Sequence, residues 1–310
     1  MSKTALFFPG QASQYVGMGK DLYDKSDKVR LLYDLASAEI GVDIAKISFE
    51  GPAEELKRTR FTQPAILLHA LSVLTVLDGK IPPFDYACGH SLGEYAALAV
   101  TGAMTFENAI KAVVKRAALM EDACQANPGT MAAIMGLDSS QVEDICQRAS
   151  SKGVVIPANF NSAIQVAISG AIASVEAAVE LAREQKAKRA VMLEVGGAFH
   201  SPLMEPAREG LARYLENIPI ADPTVPVVAN VTARSVLNAE DIRKLLVEQV
   251  TKPVRWSQTM SYLVDNGVTA IIEIGPGKVL SGLARRDMKP ESIVNLDTEA
   301  DINAFMGVTA

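Results

Sequence analysis

The pentapeptide Gly89-His90-Ser91-Leu92-Gly93 follows a short apolar stretch, Tyr86-Ala87-Cys88, and precedes an Ala- and Leu-rich helical run from Glu94 to Val100. A serine hydroxyl is a weak nucleophile unless it is presented at a sharp strand-to-helix turn, where the helix that follows sets positive backbone dipoles beside its oxygen. The pattern therefore predicts a nucleophile elbow with Ser91 at its tip; the alternative is a serine that caps a helix in a tight turn. Such a nucleophile needs a base, and the chain offers three histidines. His69 lies inside the helical pattern Ile66 to Leu71 and reads as a core or surface histidine. His90 adjoins the serine, so its side chain leaves the turn in another direction and reads as shaping a pocket. His200 follows Gly196-Gly197-Ala198-Phe199 and precedes Ser201-Pro202, in a loop that can aim it into a cleft, and is the best base. No Asp or Glu stands out as a third member. A backbone carbonyl that accepts the Nδ1 proton could orient the imidazole instead and leave Nε2 free for the serine proton.

Other reactive residue types offer less. Cys88, Cys124 and Cys146 are odd in number and lack paired metal spacing, which fits reduced thiols, and Cys88 reads as a small buried strand residue. Gly275-Pro276-Gly277-Lys278 lacks phosphate-loop spacing and reads as a turn into a helix. Neither a metal nor a redox cofactor is indicated. A net charge of −6 argues against a dedicated nucleic-acid binder, because phosphate contact wants a basic field. The start of the chain lacks a signal-peptide pattern and no apolar run reads as long enough to span a bilayer, so a cytoplasmic protein with no membrane contact is expected.

The elements that must position Ser91 and His200 read as an alternation of apolar strands and helices. Thr4 to Phe8 is a buried strand closed by Pro9-Gly10. Helical patterns follow at about 20–40 and 53–59, and from a start at Thr62 and Pro64 to Leu77; another covers about 106–126. Residues 130–195 read as strand 130–136, helix 139–151, strands 154–159 and 164–169, helix 172–187 and strand 189–195, the β-α-β-β-α-β order of a ferredoxin-like unit. Afterwards come a strand at 225–231, helices at 241–249 and 256–266, a strand at 270–274 and a helix at 279–286. The fold class expected is α/β: a hydrolase-like, mostly parallel sheet flanked by helices, formed by 1–127 and 196–310, with a small ferredoxin-like subdomain inserted at 128–195.

With these residues in place the chain resembles the malonyl-CoA:acyl carrier protein transacylase family of bacterial fatty-acid synthesis over nearly its whole length. The resemblance is carried by Phe8-Pro9-Gly10-Gln11, Gly89 to Tyr95, Arg116 to Met120, Asn159-Phe160-Asn161-Ser162 with Gln165, Phe199 to Met204, Gln249 to Trp256 and Glu273 to Gly277. It implies that Ser91 attacks the thioester of malonyl-CoA, that His200 shuttles the proton, and that the acyl carrier protein's phosphopantetheine thiol receives the malonyl group in a ping-pong cycle. It also implies that the Gln249 backbone carbonyl stands behind His200 and that the Gln11 and Leu92 amides form the oxyanion hole. Arg116 becomes a carboxylate clamp, a role its planar fork suits, in a pocket with Met120, Asn161, Phe199 and His90. Phe199 would crowd a methyl branch on the substrate, for a discrimination of roughly 1–3 kcal/mol. The competing readings are an acyltransferase of a polyketide synthase and a serine hydrolase using the same elbow. A monomer is expected, with Lys186, Lys188 and Arg189, or Arg285, Arg286 and Lys289, as basic patches for an acidic carrier protein.

Overall fold

In the computed structural model, which describes residues 2–307, a six-stranded sheet carries the molecule. Strand β1 (Lys3–Phe8) opens the chain, followed by helices α1 (Lys20–Lys25), α2 (Asp27–Ile40), α3 (Ile44–Glu50), α4 (Ala53–Leu56) and α5 (Thr59–Leu77). Strand β2 (Tyr86–Gly89) leads into α6 (Gly93–Val100) and α7 (Phe106–Ala126). The next unit comprises β3 (Thr130–Met135), α8 (Ser139–Ala149), β4 (Val155–Ser162), β5 (Gln165–Gly170), α9 (Ile172–Glu184) and β6 (Arg189–Met192). Helix α10 (Glu205–Leu215), strands β7 (Val227–Ala229) and β8 (Arg234–Val236), helices α11 (Ala239–Gln249) and α12 (Trp256–Asp265), strand β9 (Val268–Ile274), helix α13 (Val279–Asp287), strand β10 (Ser292–Leu296) and helix α14 (Glu299–Met306) complete it.

The large sheet runs β10-β9-β1-β2-β7-β8 and is parallel except for the last pair. Its central strand, Leu-Phe-Phe in β1, is fully buried, as expected for a parallel strand covered on both faces by helices. The second sheet is antiparallel and ordered β4-β5-β3-β6, the ferredoxin-like arrangement, with its own apolar core from Ile134, Val142, Ile145, Val166, Ile168 and Val175 under α8 and α9. The small sheet is tied to the segment that leads into α12. Strand β4 is bulged at Ala158 and Asn161, and there Phe160 N donates to Val254 O at 2.9 Å while Val254 N donates to Ala158 O at 2.8 Å. Bulges re-aim side chains, and Asn159 and Asn161 here line the same cavity as Ser91 and His200.

Several expected bounds move. The helix expected to open at Thr62-Pro64 begins at Thr59, with Pro64 inside it. Phe61, Thr62 and Gln63 are all buried, so packing holds the turn before the proline against its helix-breaking tendency. By length and composition alone this helix could cross a membrane, contrary to the expectation, but 83% of its apolar window is buried inside the protein, which makes it a core helix. The single helix expected at 20–40 breaks at Ser26, whose extended backbone and side-chain oxygen cap α2 at Val29 N. Helices α3, α10 and α14 and strands β8 and β10 were not anticipated, and the strand expected at 189–195 stops at Met192.

Candidate active site

The strand-to-helix turn after β2 is tight because both flanking glycines are forced. A Cβ on Gly89 would lie 2.0 Å from the Gly93 carbonyl carbon, and one on Gly93 would lie 2.2 Å from Phe8 O. Between them Ser91 is held at φ 52°, a left-handed conformation that costs a non-glycine residue about 1–3 kcal/mol. Asn230, just after β7, holds it there: Ser91 N donates to Asn230 Oδ1 at 2.6 Å, and Asn230 Nδ2 donates to Gly89 O at 2.7 Å.

His200 is likewise held at positive φ, 57°, in the loop before α10. Its Nδ1 lies 2.8 Å from the Gln249 backbone oxygen, and its Nε2 lies 2.8 Å from Ser91 Oγ. A carbonyl can only accept, so Nδ1 carries the proton and Nε2 faces the serine as a lone pair. Burial, and next the charge of Arg116, depress the imidazole to about 3. It is therefore a neutral base at ordinary pH.

Arg116, on α7, is fully buried. One Nη2 donates to Ser91 Oγ at 3.0 Å and to the Gln249 side-chain oxygen at 2.9 Å, Nη1 donates to Gln63 Oε1, and Nε has no partner. Burial alone draws its pKa down, while Tyr95 and Glu94 pull it back up. Gln63 also donates to Gln11 Oε1 at 3.2 Å and to Met120 Sδ at 3.5 Å, tying the loop after β1 to the guanidinium. His90 Nε2 lies 2.9 Å from Asn161 Oδ1, which joins the elbow to the bulged β4. A cavity of about 230 Å³ opens above Ser91, lined by Gln11, His90, Asn161, Phe199 and His200. Leu92 points its side chain into the core, and its amide and that of Gln11 donate to no protein acceptor among the described residues.

Three participants had escaped the sequence. Glu94, Gln63 and Asn230 are all nearly or fully buried. The acid that no motif revealed is Glu94, and it does not touch His200: its Oε2 accepts from Gln249 Nε2 at 2.8 Å and from Asn230 N at 2.9 Å. Burial pushes its carboxyl up to about 7, against the opposing pull of Asn230, Gln249 and Arg116. The signal was a charged residue in an otherwise apolar helix start, a pattern that is rarely buried without a partner.

Sites that looked chemically suggestive elsewhere are already filled. The Gly277 amide donates to Asp297 at 2.9 Å, and Glu273 accepts from Leu280 N and Ser281 N, so the turn into α13 is neutralised from within. Cys88 is buried, and burial raises its thiol well above the ordinary range. A broader groove of about 710 Å³ between α8 and α9 is lined by Ser151 and Lys152 with no histidine beside them to act as a base.

A serine at a strained elbow, a neutral imidazole on a backbone carbonyl and a ferredoxin-like unit over the cleft define an α/β acyl transferase. The chain belongs to that family: the family model described as "Acyl transferase domain" matches residues 6–298. It is 44% identical over 288 residues to the malonyl CoA-acyl carrier protein transacylase of Bacillus subtilis, covering 92% of this chain and 90% of that one. It is 42% identical to the protein of the same name from Haemophilus influenzae over 306 residues, 98% of each. Among solved structures, the malonyl CoA-acyl carrier protein transacylase of Coxiella burnetii superposes with a TM-score of 0.93 at 37% identity, covering 99% of this chain and 98% of that one. A malonyl-transacylase in complex with its type II PKS acyl-carrier protein superposes equally well, at 38% identity over 99% of this chain and 100% of that one.

Proposed function

We propose that the protein transfers a malonyl group from malonyl-CoA to the phosphopantetheine thiol of an acyl carrier protein, through an ester on Ser91, in fatty-acid synthesis. The observation that carries the reading is one hydroxyl held at 2.8 Å from a neutral imidazole nitrogen and at 3.0 Å from a buried guanidinium. As Ser91 Oγ attacks the thioester carbon, its proton passes to His200 Nε2. The tetrahedral oxyanion lies toward the Gln11 and Leu92 amides, each donor being worth roughly 3 kcal/mol of barrier. When the C–S bond breaks, His200 returns the proton to the CoA sulfur and leaves a malonyl-serine. The carrier thiol then gives its proton to the same nitrogen, attacks the ester, and Ser91 Oγ leaves reprotonated.

Arg116 supplies selectivity. Its unpartnered Nε and its Nη2 beside the nucleophile suit a short acyl chain that ends in a carboxylate, which a planar fork grips through two hydrogen bonds. A serine hydrolase of uncharged esters would have no use for a cation buried at this point. Phe199 narrows the pocket, Met120 stands buried behind it against Gln63, and His90 with Asn161 shapes its mouth. For the acidic carrier protein we place the dock on exposed Lys186, Lys188 and Arg189 or on exposed Arg285, Arg286 and Lys289. The reaction as written uses no metal or redox cofactor. We divide the chain into a catalytic unit of 1–127 with 196–310 and a small unit of 128–195, acting as a monomer in the cytoplasm.

Incubation with malonyl-CoA followed by intact mass measurement tests the core of this. A single malonyl adduct that disappears in Ser91→Ala is expected. An adduct that persists in that variant overturns the assignment of the nucleophile, and no adduct on the unmodified protein overturns the function.

A further inference from the structure

The resting site holds a buried cation whose hydrogen-bond partners are all uncharged: Gln63 Oε1, Gln249 Oε1 and Ser91 Oγ. A guanidinium taken out of water is strongly disfavoured unless a negative charge compensates it. The carboxylate that reaches it through the shortest hydrogen-bonded path is Glu94, 3% exposed and three residues beyond the nucleophile. The path is one side chain long. Gln249 donates from Nε2 to Glu94 Oε2 at 2.8 Å, and its Oε1 accepts from Arg116 Nη2 at 2.9 Å. An amide held between an anion on its NH₂ and a cation on its oxygen is polarised by both, so each end strengthens the other.

The same residue reaches further. The Gln249 backbone oxygen holds His200 Nδ1, and its Nε2 also donates to Ser91 O at 3.1 Å. Glu94 Oε2 in addition accepts from the amide of Asn230, whose side chain fixes the elbow. Among the described residues nothing else charged stands on this face of α6: Tyr95 beside it lies 5.9 Å from the guanidinium, and Cys88 on β2 is a buried thiol.

We infer that Glu94 is the internal counter-ion of Arg116, acting through the Gln249 side chain, and that it sets how strongly the clamp prefers an acyl group bearing a carboxylate over an uncharged one. The inference rests on the assignment of Arg116 as the malonyl clamp. With Glu94 ionised, the guanidinium tolerates an acetyl group, because its charge stays balanced; an incoming malonyl carboxylate must share the cation with Glu94. Removing that charge while keeping the shape leaves Arg116 dependent on the substrate's own carboxylate. Glu94 is thus a positioning residue, and its neutralisation sharpens selectivity instead of blunting it.

The test compares Glu94→Gln and Glu94→Asp with the unmodified protein at about pH 8, above the range in which the buried carboxyl takes up its proton. Rates of Ser91 acylation by malonyl-CoA and by acetyl-CoA are followed by intact mass over a range of donor concentrations. For Glu94→Gln the ratio of kcat/KM for malonyl over acetyl is expected to rise about tenfold, with a lower KM for malonyl-CoA and slower acetylation. Glu94→Asp, which keeps the charge, is expected to lose rate with both donors and hold the ratio within about threefold. A side chain that merely braces the fold lowers both rates together, so a ratio unchanged or reduced in Glu94→Gln overturns the inference, as does an equal rise in Glu94→Asp. Should Glu94→Gln fail to fold, Gln249→Met cuts the relay while keeping the backbone carbonyl on His200. The same rise is expected there, and its absence overturns the inference. Failure of the underlying function is distinguishable, because the unmodified protein then takes no malonyl group at Ser91.

Discussion

Two histidines are almost wholly buried in this chain, and they sit in opposite electrostatic company. His69, on α5, places Nε2 3.0 Å from Asp297 Oδ1, and that carboxylate also accepts from Tyr15 OH at 2.8 Å and from Gly277 N at 2.9 Å. Burial alone would raise Asp297, but His69, the Gly277 amide and Tyr15 together hold it below its ordinary value. His200 has no acid against it; its neighbours are a neutral carbonyl, a hydroxyl and a cation. The comparison teaches that a His-Asp pair is not by itself a mark of catalysis. His69 has the acid but is fully buried in α5, away from any substrate. His200 lacks the acid, yet it faces a strained serine at the floor of an open cleft.

The largest effect should therefore separate these two imidazoles. His200→Ala is expected to slow Ser91 acylation by malonyl-CoA by about 10⁴-fold or more, since nucleophile and base act as a unit. His69→Leu should keep that rate within a few-fold and instead lower stability by about 1–3 kcal/mol, because the half-buried aspartate loses one of its three partners. Stopped acylation assays and denaturant melts of both variants read this directly. Comparable rate losses in the two would erase the distinction drawn here.

A smaller effect sharpens the role of the cation. Arg116→Met keeps length and apolar volume but removes the fork, and malonyl transfer should fall by about 10²-fold or more while acetyl transfer changes much less. Equal losses for the two acyl groups would mean that Arg116 serves the serine alone, through its 3.0 Å contact with Oγ.

How much of this was legible in the chain depends on how far apart the partners lie. The elbow could be read locally, because strand, glycines, serine and helix are contiguous, and α7 declared both ends through the Thr105 cap and the run that closes at Ala126. The small sheet was readable because its strands and helices alternate with clear changes of period, and Asp138 with Gln141 forms a capping box that opens α8. Glu94 was hidden because its meaning comes from Gln249, 155 residues away. In isolation an acid in the first turn of a helix is an ordinary solvated partner of the dipole. Gln63 and Asn230 were hidden for the same reason, although a lone Gln among the apolar residues of α5 was a signal of burial with a polar purpose. Strand β10 escaped because, at the sheet edge, only Leu296 of its five residues is fully buried; yet Thr298 and Asp301 make a capping box that could have revealed α14.

The smallest expected change is the most discriminating for the two-histidine comparison. Because burial and Arg116 hold His200 near 3, the free enzyme's base is neutral from pH 8 down to well below the ordinary histidine value of 6.5. The kcat/KM for Ser91 acylation, which reports groups in the free enzyme, should show no acid limb at 6.5. In Arg116→Met the second cause of the depression is gone, so His200 rises and a limb should move up toward that value. The same shift has a stability counterpart whose sign is fixed. The unfolded chain binds a proton at His200 near 6.5 and the folded chain only near 3, so the contribution is fully present above pH 6.5 and is lost as pH falls toward 3. His200→Gln should accordingly flatten the loss of stability on acidification in that window, which melts at pH 7 and pH 4.5 would reveal. If unmodified protein instead loses acylation with a midpoint at 6.5, the imidazole is as accessible to protons as an exposed one, and the electrostatic contrast with His69 does not hold.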